Sequence, residues 1–170
     1  MIVWLNGPFG VGKSSVTAAL RRRVPAARTF DPERIGWVLK RTVGVWRRGD
    51  YQHLRTWRRA TVVAAARRAR GTDLLIIPMT VLRRGYLEEL LAGLRARGHE
   101  VRHVLLDVSP DVLLERIEND PVHDPRAWRL DNLEIYLTAR YALEGFGEVV
   151  DTDERTIEEV ADAVQEALSG

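Results

Sequence analysis

Residues 1–15 read MIVWLNGPFGVGKSS, and this stretch decides the fold. An apolar run at residues 2–5 precedes GPFGVGKS at residues 7–14, which matches the pattern GxxxxGKS. Apolar residues then recur at helical spacing up to Val24. A strand, a glycine-rich turn and a helix, in that order, are the context in which this pattern forms a phosphate-binding P-loop. The alternative, a merely glycine-rich turn, explains neither the lysine nor the flanking elements. The stretch therefore predicts a site for a nucleoside triphosphate.

Each position of the motif has a chemical task. The glycines let the backbone turn tightly and direct successive N–H groups at the phosphates. Lys13 reaches the β- and γ-phosphates, and the Ser14 hydroxyl is a ligand for Mg²⁺. The residues predicted to bind ATP here are Gly7, Pro8, Phe9, Gly10, Val11, Gly12, Lys13, Ser14 and Ser15.

Length and composition predict one domain spanning residues 1–170. The chain has 170 residues and is 45% hydrophobic, which is enough for a core and too short for two ordinary domains. It has no cysteine, so disulfides and zinc–thiolate sites are excluded, in keeping with a reducing cytoplasm. Neither a membrane-spanning apolar run nor a signal-peptide pattern is present. We therefore expect a cytoplasmic location.

The basic residues are nearly all arginine. Lysine occurs only at positions 13 and 40, which leaves 24 arginines among the 26 basic residues. Arginine suits phosphate or nucleic-acid recognition, but it also serves on solvated helix faces. The net charge is only +2, and no basic run or aromatic-basic repeat appears, so we expect no nucleic-acid partner.

Short β-rich runs alternate with helical patterns along the chain. We predict strands at residues 1–6, 27–30, 73–78, 101–107 and 148–150, with helices between and after them. Residues 119–127 contain two prolines and no periodicity, which indicates a loop. This alternation predicts an α/β fold with a five-stranded parallel sheet covered by helices on both faces.

Four segments carry a family resemblance: IVWLNGPFGVGKSS (2–15), FDPERIGWVLKR (30–41), LLIIPMT (74–80) and LLDVSPDVLLERI (105–117). They resemble the tunicamycin-resistance ATP-binding protein family, a branch of the P-loop kinases related to nucleoside monophosphate, shikimate and chloramphenicol kinases. The resemblance covers most of residues 1–120. It implies the strand order 2-3-1-4-5, a lid around residues 117–128, ATP and Mg²⁺ as cofactors, and an acceptor site roofed by the helices after strand two.

Asp31 closes strand two, at the edge where open α/β sheets bind ligands. In similar kinases an acidic residue here accepts the acceptor hydroxyl's proton or holds Mg²⁺ through water. Alternatively, Asp31 caps the helix that begins at Pro32. Strand three ends in Pro78-Met79-Thr80 without the carboxylate that many P-loop proteins have there. The metal would then depend on Ser14, the phosphates, water and Asp31.

The resemblance also implies roles for residues near the lid. Arg116 would stack on adenine, and Arg126 and Arg129 would clamp the transferred phosphate; a surface position is the alternative for each. Thr152 and Asp153 would border the adenine, although helix capping explains them nearly as well. Asp107, at the end of strand four, is a weaker carboxylate candidate.

Aromatic and arginine residues gather between residues 34 and 57. The candidates for the acceptor site are Arg34, Trp46, Tyr51 and Trp57, together with Met79 and Thr80 at the mouth of strand three. Such side chains suit a nucleobase, a sugar or a flat antibiotic, and the resemblance favours a nucleoside-type antibiotic. Trp37 and Trp57 are alternatively core anchors of their helices, and Met79 a core filler. The histidines at 99, 103 and 123 have no metal-ligand spacing, and we assign them no role.

Two functions follow from this pattern. The first is an Mg·ATP-dependent phosphotransferase acting on the hydroxyl of a small molecule, for which the resemblance implies the nucleoside antibiotic tunicamycin. The second is a protein that uses ATP to sequester the drug without modifying it, which the missing strand-three carboxylate leaves open. The sequence leaves the acceptor and the oligomeric state undetermined.

Overall fold

The structure is a computed structural model that describes residues 1–42, 50–119 and 126–169, with the backbone alone at 39–42 and 126–131. Its strands are β1 (Ile2–Asn6), β2 (Arg28–Thr29), β3 (Leu75–Pro78), β4 (Val101–Asp107) and β5 (Glu148–Asp151). Its helices are α1 (Lys13–Arg23), α2 (Glu33–Thr42), α3 (Arg55–Ala69), α4 (Arg84–Arg95), α5 (Pro110–Asn119), α6 (Arg126–Glu144) and α7 (Ile157–Ser169). A short 3₁₀ helix, Tyr51–His53, precedes α3.

All five strands are parallel, in the order β2-β3-β1-β4-β5. Ile2 lies in register with Leu75 of β3 on one side and with Val101 of β4 on the other. The predicted order 2-3-1-4-5 is confirmed. Because the strands are parallel, their carboxyl ends share one edge of the sheet, and the segments following each strand meet there.

The core lies between the sheet and two helical layers. Every residue of β1 is buried, which is why this strand is an uninterrupted apolar run apart from its last residue. Helix α1 packs against α7, and α3 packs against α4. Helix α3 is fixed at its start by the buried Arg58, whose Nε donates to Glu89 at 2.6 Å and whose Nη1 donates to the Gln52 carbonyl at 2.5 Å. Among the described residues, no helix is long and apolar enough to cross a membrane.

Element boundaries differ from the predictions by a few residues. Strand β2 has two residues rather than four, because only its Arg28 and Thr29 pair with β3. Helix α4 ends at Arg95, before Gly98, which turns the chain with φ of 80°. Helix α6 begins at Arg126, inside the segment 119–127 that was predicted to be a loop. Of the predicted lid, 117–128, residues 120–125 lie outside the described residues.

Candidate functional site

The segment between β1 and α1 has the backbone geometry of a P-loop. Gly7 has φ of 138°, and Gly12, with φ of 96°, precedes the first helical residue. A Cβ at Gly7 would lie 2.6 Å from the Leu106 carbonyl oxygen of β4, so only glycine fits at this position. The first turn of α1 presents its amides to the concave side of the loop, since the first N–H groups of a helix have no intrahelical acceptor. This arrangement suits phosphate oxygens.

Lys13 is the first residue of α1 and folds back over the loop. Its Nζ donates to the Gly7 carbonyl at 3.0 Å and to the Pro8 carbonyl at 2.7 Å. It also lies 5.5 Å from the centre of the Phe9 ring. Burial lowers the pKa of Lys13 from 10.5 to about 7, while the nearby Glu33 carboxylate acts in the opposite direction. A bound anion would therefore stabilise the charged form of Lys13.

Ser14 and Ser15 follow on the exposed side of the first turn. Their position at the helix N-terminus agrees with the predicted phosphate contacts and, for Ser14, with an oxygen ligand for Mg²⁺. In the described part of the chain, no three acidic or histidine side chains come together as a metal site.

Asp31 lies exposed at the end of β2. Its Oδ1 accepts a hydrogen bond from the Glu33 amide at 2.9 Å, so the capping role is present at the start of α2. This bond uses one of the two carboxylate oxygens, and capping does not preclude a role toward a ligand. The charge of Glu33 also acts on Lys13, where it opposes the effect of burial. Sequence reasoning missed this role, although Glu33 is visible as the second carboxylate of the FDPE segment.

Asp31 and Arg34 line one cavity, of about 480 Å³, at the β2 edge of the sheet. The cavity is bounded by Thr29, Phe30, Asp31, Arg34, Ile35, Val38 and Arg68. It combines an apolar floor with two guanidinium groups and one carboxylate. The structure thus brings together Asp31, which was predicted to act in catalysis, and Arg34, which was predicted to contact the acceptor.

Trp57 is fully buried, and its indole nitrogen donates to the Pro32 carbonyl at 3.2 Å. Trp57 therefore anchors α3 against the start of α2, which favours the core alternative over contact with a substrate. The Tyr51 ring lies 5.0 Å from that of Trp57 and packs on Gly36, where a Cβ would approach the ring to 2.9 Å. Burial, Glu33, Asp50 and Asp31 raise the pKa of Tyr51. Its phenol thus lies near the carboxylates at the mouth of β2.

Trp37, the other proposed core anchor, is 66% exposed, so that interpretation is wrong for this residue. Trp46 lies outside the described residues, and so do the side chains of Arg126 and Arg129. The roles predicted for these last three residues stay predictions.

Met79 and Thr80 are both buried beyond the end of β3. The Met79 carbonyl accepts from the Trp4 indole at 3.2 Å. Met79 is therefore part of the core, which was the alternative to contact with the acceptor. The Thr80 hydroxyl donates to the Gly7 carbonyl at 2.8 Å. Thr80 thus faces the P-loop and does not line the cavity described above.

Arg116 of α5 contacts the segment after β5. Its Nη1 donates to the Thr152 hydroxyl at 3.0 Å, and its Nη2 donates to the Thr152 carbonyl at 2.5 Å. Asp153 accepts from the Ser109 amide at 2.8 Å. The three residues predicted to surround the adenine therefore lie together, because the Arg116 guanidinium contacts both Thr152 and Asp153.

Asp107 binds two side chains of α6, which the sequence did not indicate. Its carboxylate accepts from the Tyr136 hydroxyl and pairs with the Arg140 guanidinium. Tyr136 is fully buried, and burial together with Asp107 raises its pKa, so the phenol stays protonated. Asp107 therefore fixes α6 to the carboxyl end of β4.

Comparisons with known proteins agree with this geometry. The model of the AAA domain family matches residues 2–127. The tunicamycin resistance protein of Deinococcus radiodurans is 29% identical in sequence, with a TM-score of 0.78 over 98% of this chain and 94% of that one. Among curated proteins, none matches this chain significantly.

Two kinases have the same fold at lower identity. A gluconokinase from Sinorhizobium meliloti is 19% identical, with a TM-score of 0.66 over 98% of this chain and 90% of that one. The shikimate kinase of Bacteroides thetaiotaomicron is 17% identical, with a TM-score of 0.65 over 100% and 99%. The resemblance inferred from the sequence is confirmed: the chain belongs to the AAA domain family and is similar to a tunicamycin resistance protein, and it shares its fold with small-molecule kinases.

Proposed function

We propose that this chain binds Mg·ATP and transfers the γ-phosphoryl group to a hydroxyl of a small molecule, with tunicamycin as the first candidate acceptor. The observation that carries the proposal is the P-loop, with Lys13 at the head of α1 and the charge of the Glu33 carboxylate acting on it. The fold shared with small-molecule kinases supports the reaction type, and the Deinococcus protein supports the candidate. The proposal takes residues 1–170 as one domain acting in the cytoplasm, where ATP is available.

In this reaction the acceptor oxygen forms a bond to the γ-phosphorus, and the bond from that phosphorus to the β,γ-bridging oxygen breaks. Lys13 leaves the Gly7 and Pro8 carbonyls and binds the β- and γ-phosphate oxygens, where its charge stabilises the transition state. Asp31 accepts the proton of the acceptor hydroxyl. Arg126 and Arg129 bind the transferred phosphate, while Arg116, Thr152 and Asp153 position the adenine.

Mg²⁺ suits the donors that the site offers, because hydroxyl and carboxylate oxygens are its preferred ligands. Ser14 would hold it directly together with phosphate oxygens, and Asp31 would contact it through water. When bound, the ion neutralises charge on those oxygens.

The acceptor is expected in the cavity at the β2 edge, where Arg34 and Asp31 lie with apolar side chains. Tyr51 and Trp46 are the aromatic candidates for contact with it. Trp57, Met79 and Thr80 support this region from the core rather than contact the acceptor.

The test is ADP release by the purified protein with Mg·ATP and one candidate acceptor at a time: tunicamycin, gluconate or shikimate. With the wild-type protein we expect tunicamycin to stimulate ADP release. The Lys13→Ala variant should show no such stimulation, because it removes a ligand contact rather than a core side chain. ADP release that no acceptor stimulates, and that Lys13→Ala leaves unchanged, would contradict the proposal.

Sequestration is the second candidate function. The observation that favours it is the end of β3, where Thr80 stands in place of a carboxylate and its hydroxyl is committed to Gly7. Sequestration predicts that ATP promotes tunicamycin binding in equilibrium dialysis while both compounds are recovered unchanged.

A further inference from the structure

Gly7, the first residue of the P-loop, is held by side chains at both of its peptide groups. Its N–H donates to Asn6 Oδ1 at 2.9 Å, and its carbonyl accepts from Thr80 Oγ1 at 2.8 Å. Asn6 is completely buried and Thr80 nearly so. The entrance of the loop is therefore fixed from β1 on one side and from the segment after β3 on the other.

The orientation of Asn6 is itself determined by its neighbours. Its Oδ1 also accepts from the Val81 amide at 2.9 Å, and its Nδ2 donates to the Val81 carbonyl at 3.0 Å. The same Nδ2 lies 3.2 Å from His103 Nε2, which must accept because an amide nitrogen only donates. Burial lowers the pKa of His103 to about 4, so the imidazole is neutral and able to accept. The side-chain amide of Asn6 thus has one consistent set of partners.

The side chains of Asn6 and Thr80 form a clamp on Gly7, and Gly7 has no room to move away from it. A Cβ there would lie 2.6 Å from the Leu106 carbonyl oxygen, so β4 lies close behind the residue. The Gly7 carbonyl also accepts from Lys13 Nζ at 3.0 Å. The oxygen that Thr80 binds is therefore the oxygen on which the lysine rests.

We propose that Asn6 and Thr80 are positioning residues for the nucleotide site, acting through Gly7. Thr80 satisfies the Gly7 carbonyl when Lys13 leaves it to bind phosphate, and Asn6 keeps the Gly7 amide plane in place during that movement. In a protein without the Thr80 hydroxyl, the buried Gly7 carbonyl would be left without its donor when Lys13 moves to the phosphate. The free energy lost there would weaken phosphate binding. This inference rests on the proposed ATP binding.

The experiment compares Thr80→Ala with Thr80→Ser, a pair that differs by the hydroxyl alone. Thr61→Ala is the matched control, because Thr61 is also fully buried and its hydroxyl has no hydrogen-bond partner in the described part of the chain. Two quantities are measured: the Kd for Mg·ATP by calorimetry, and the hydrogen-exchange rate of the Gly7 amide in the ligand-free protein by NMR.

We expect Thr80→Ala to weaken Mg·ATP binding and to accelerate Gly7 exchange, each by about 2- to 10-fold, the effect of one hydrogen bond. Thr80→Ser should restore both quantities, and Thr61→Ala should leave both unchanged. If Thr80→Ala does not fold, Thr80→Val, which keeps the volume, takes its place.

Equal values for Thr80→Ala and Thr61→Ala would overturn the proposal, since Thr80 would then only fill space. A failure of Thr80→Ser to restore either quantity would do the same. If the wild-type protein does not bind Mg·ATP, the proposed function fails, and the Gly7 exchange rates alone decide whether the clamp exists.

Discussion

Lys13 lies where burial and a carboxylate act on its charge in opposite directions. Burial dominates and lowers its pKa to about 7, although Glu33 opposes the shift. A phosphate ligand would favour the ammonium form and raise the pKa again. At pH 8 the side chain should thus be mainly neutral without ligand and protonated with it.

The lowered pKa of Lys13 therefore predicts that the protein takes up a proton when Mg·ATP binds. We expect roughly one proton per site at pH 8 and little uptake at pH 6, where Lys13 is already protonated. Calorimetric titrations in two buffers of different ionisation enthalpy measure the uptake. A binding enthalpy at pH 8 that does not depend on the buffer would contradict the shifted lysine.

Asp31 offers a second prediction at the scale of a single residue. Asparagine is nearly isosteric and also caps helices, so Asp31→Asn should keep the bond to the Glu33 amide, the melting temperature and the ATP affinity. If Asp31 is the general base, kcat should fall by about 10²- to 10⁴-fold. Turnover and melting curves of the variant separate the two roles, and wild-type turnover would reduce Asp31 to a replaceable cap.

At the scale of elements, α6 depends on the contacts between Asp107, Tyr136 and Arg140. Tyr136 is fully buried, so its hydrogen bond to a carboxylate forms away from water. Tyr136→Phe should lower the free energy of unfolding by about 1–2 kcal/mol, as measured by urea denaturation. Tyr141→Phe is the matched control, since Tyr141 on the same helix is 75% exposed and should change stability little. Equal effects of the two substitutions would show that Tyr136 does not anchor the helix.

These contacts also show where sequence reasoning ends. The P-loop was predictable because its residues are contiguous and each has a known chemical task. By contrast, Asp107 and Tyr136 lie 29 positions apart, and Asn6 and Val81 lie 75 apart. Such pairs depend on how elements pack, which local periodicity does not encode. Strand β2 was overestimated for a related reason, because strand length depends on the partner strand as well as on residue type.

At the scale of the whole molecule, the parallel sheet collects the strand ends at one edge. The P-loop follows β1, Asp31 follows β2, Thr80 follows β3, Asp107 ends β4 and Thr152 follows β5. Alternating strands and helices, together with the family resemblance, predicted this order, and the structure confirms it. The directions of the side chains near this edge were harder to predict. Trp57 and Met79 are buried in the core, and Thr80 faces the P-loop.

The central claim is that the chain transfers phosphate to a small molecule. The most direct measurement is mass spectrometry of tunicamycin after incubation with the wild-type protein and Mg·ATP, beside Lys13→Ala and Asp31→Asn. We predict a phosphoryl mass increase in the drug with matching ADP formation, lost with Lys13→Ala and strongly slowed with Asp31→Asn. Tunicamycin recovered unchanged from the wild-type protein, although it binds in the presence of ATP, would contradict the claim and support sequestration.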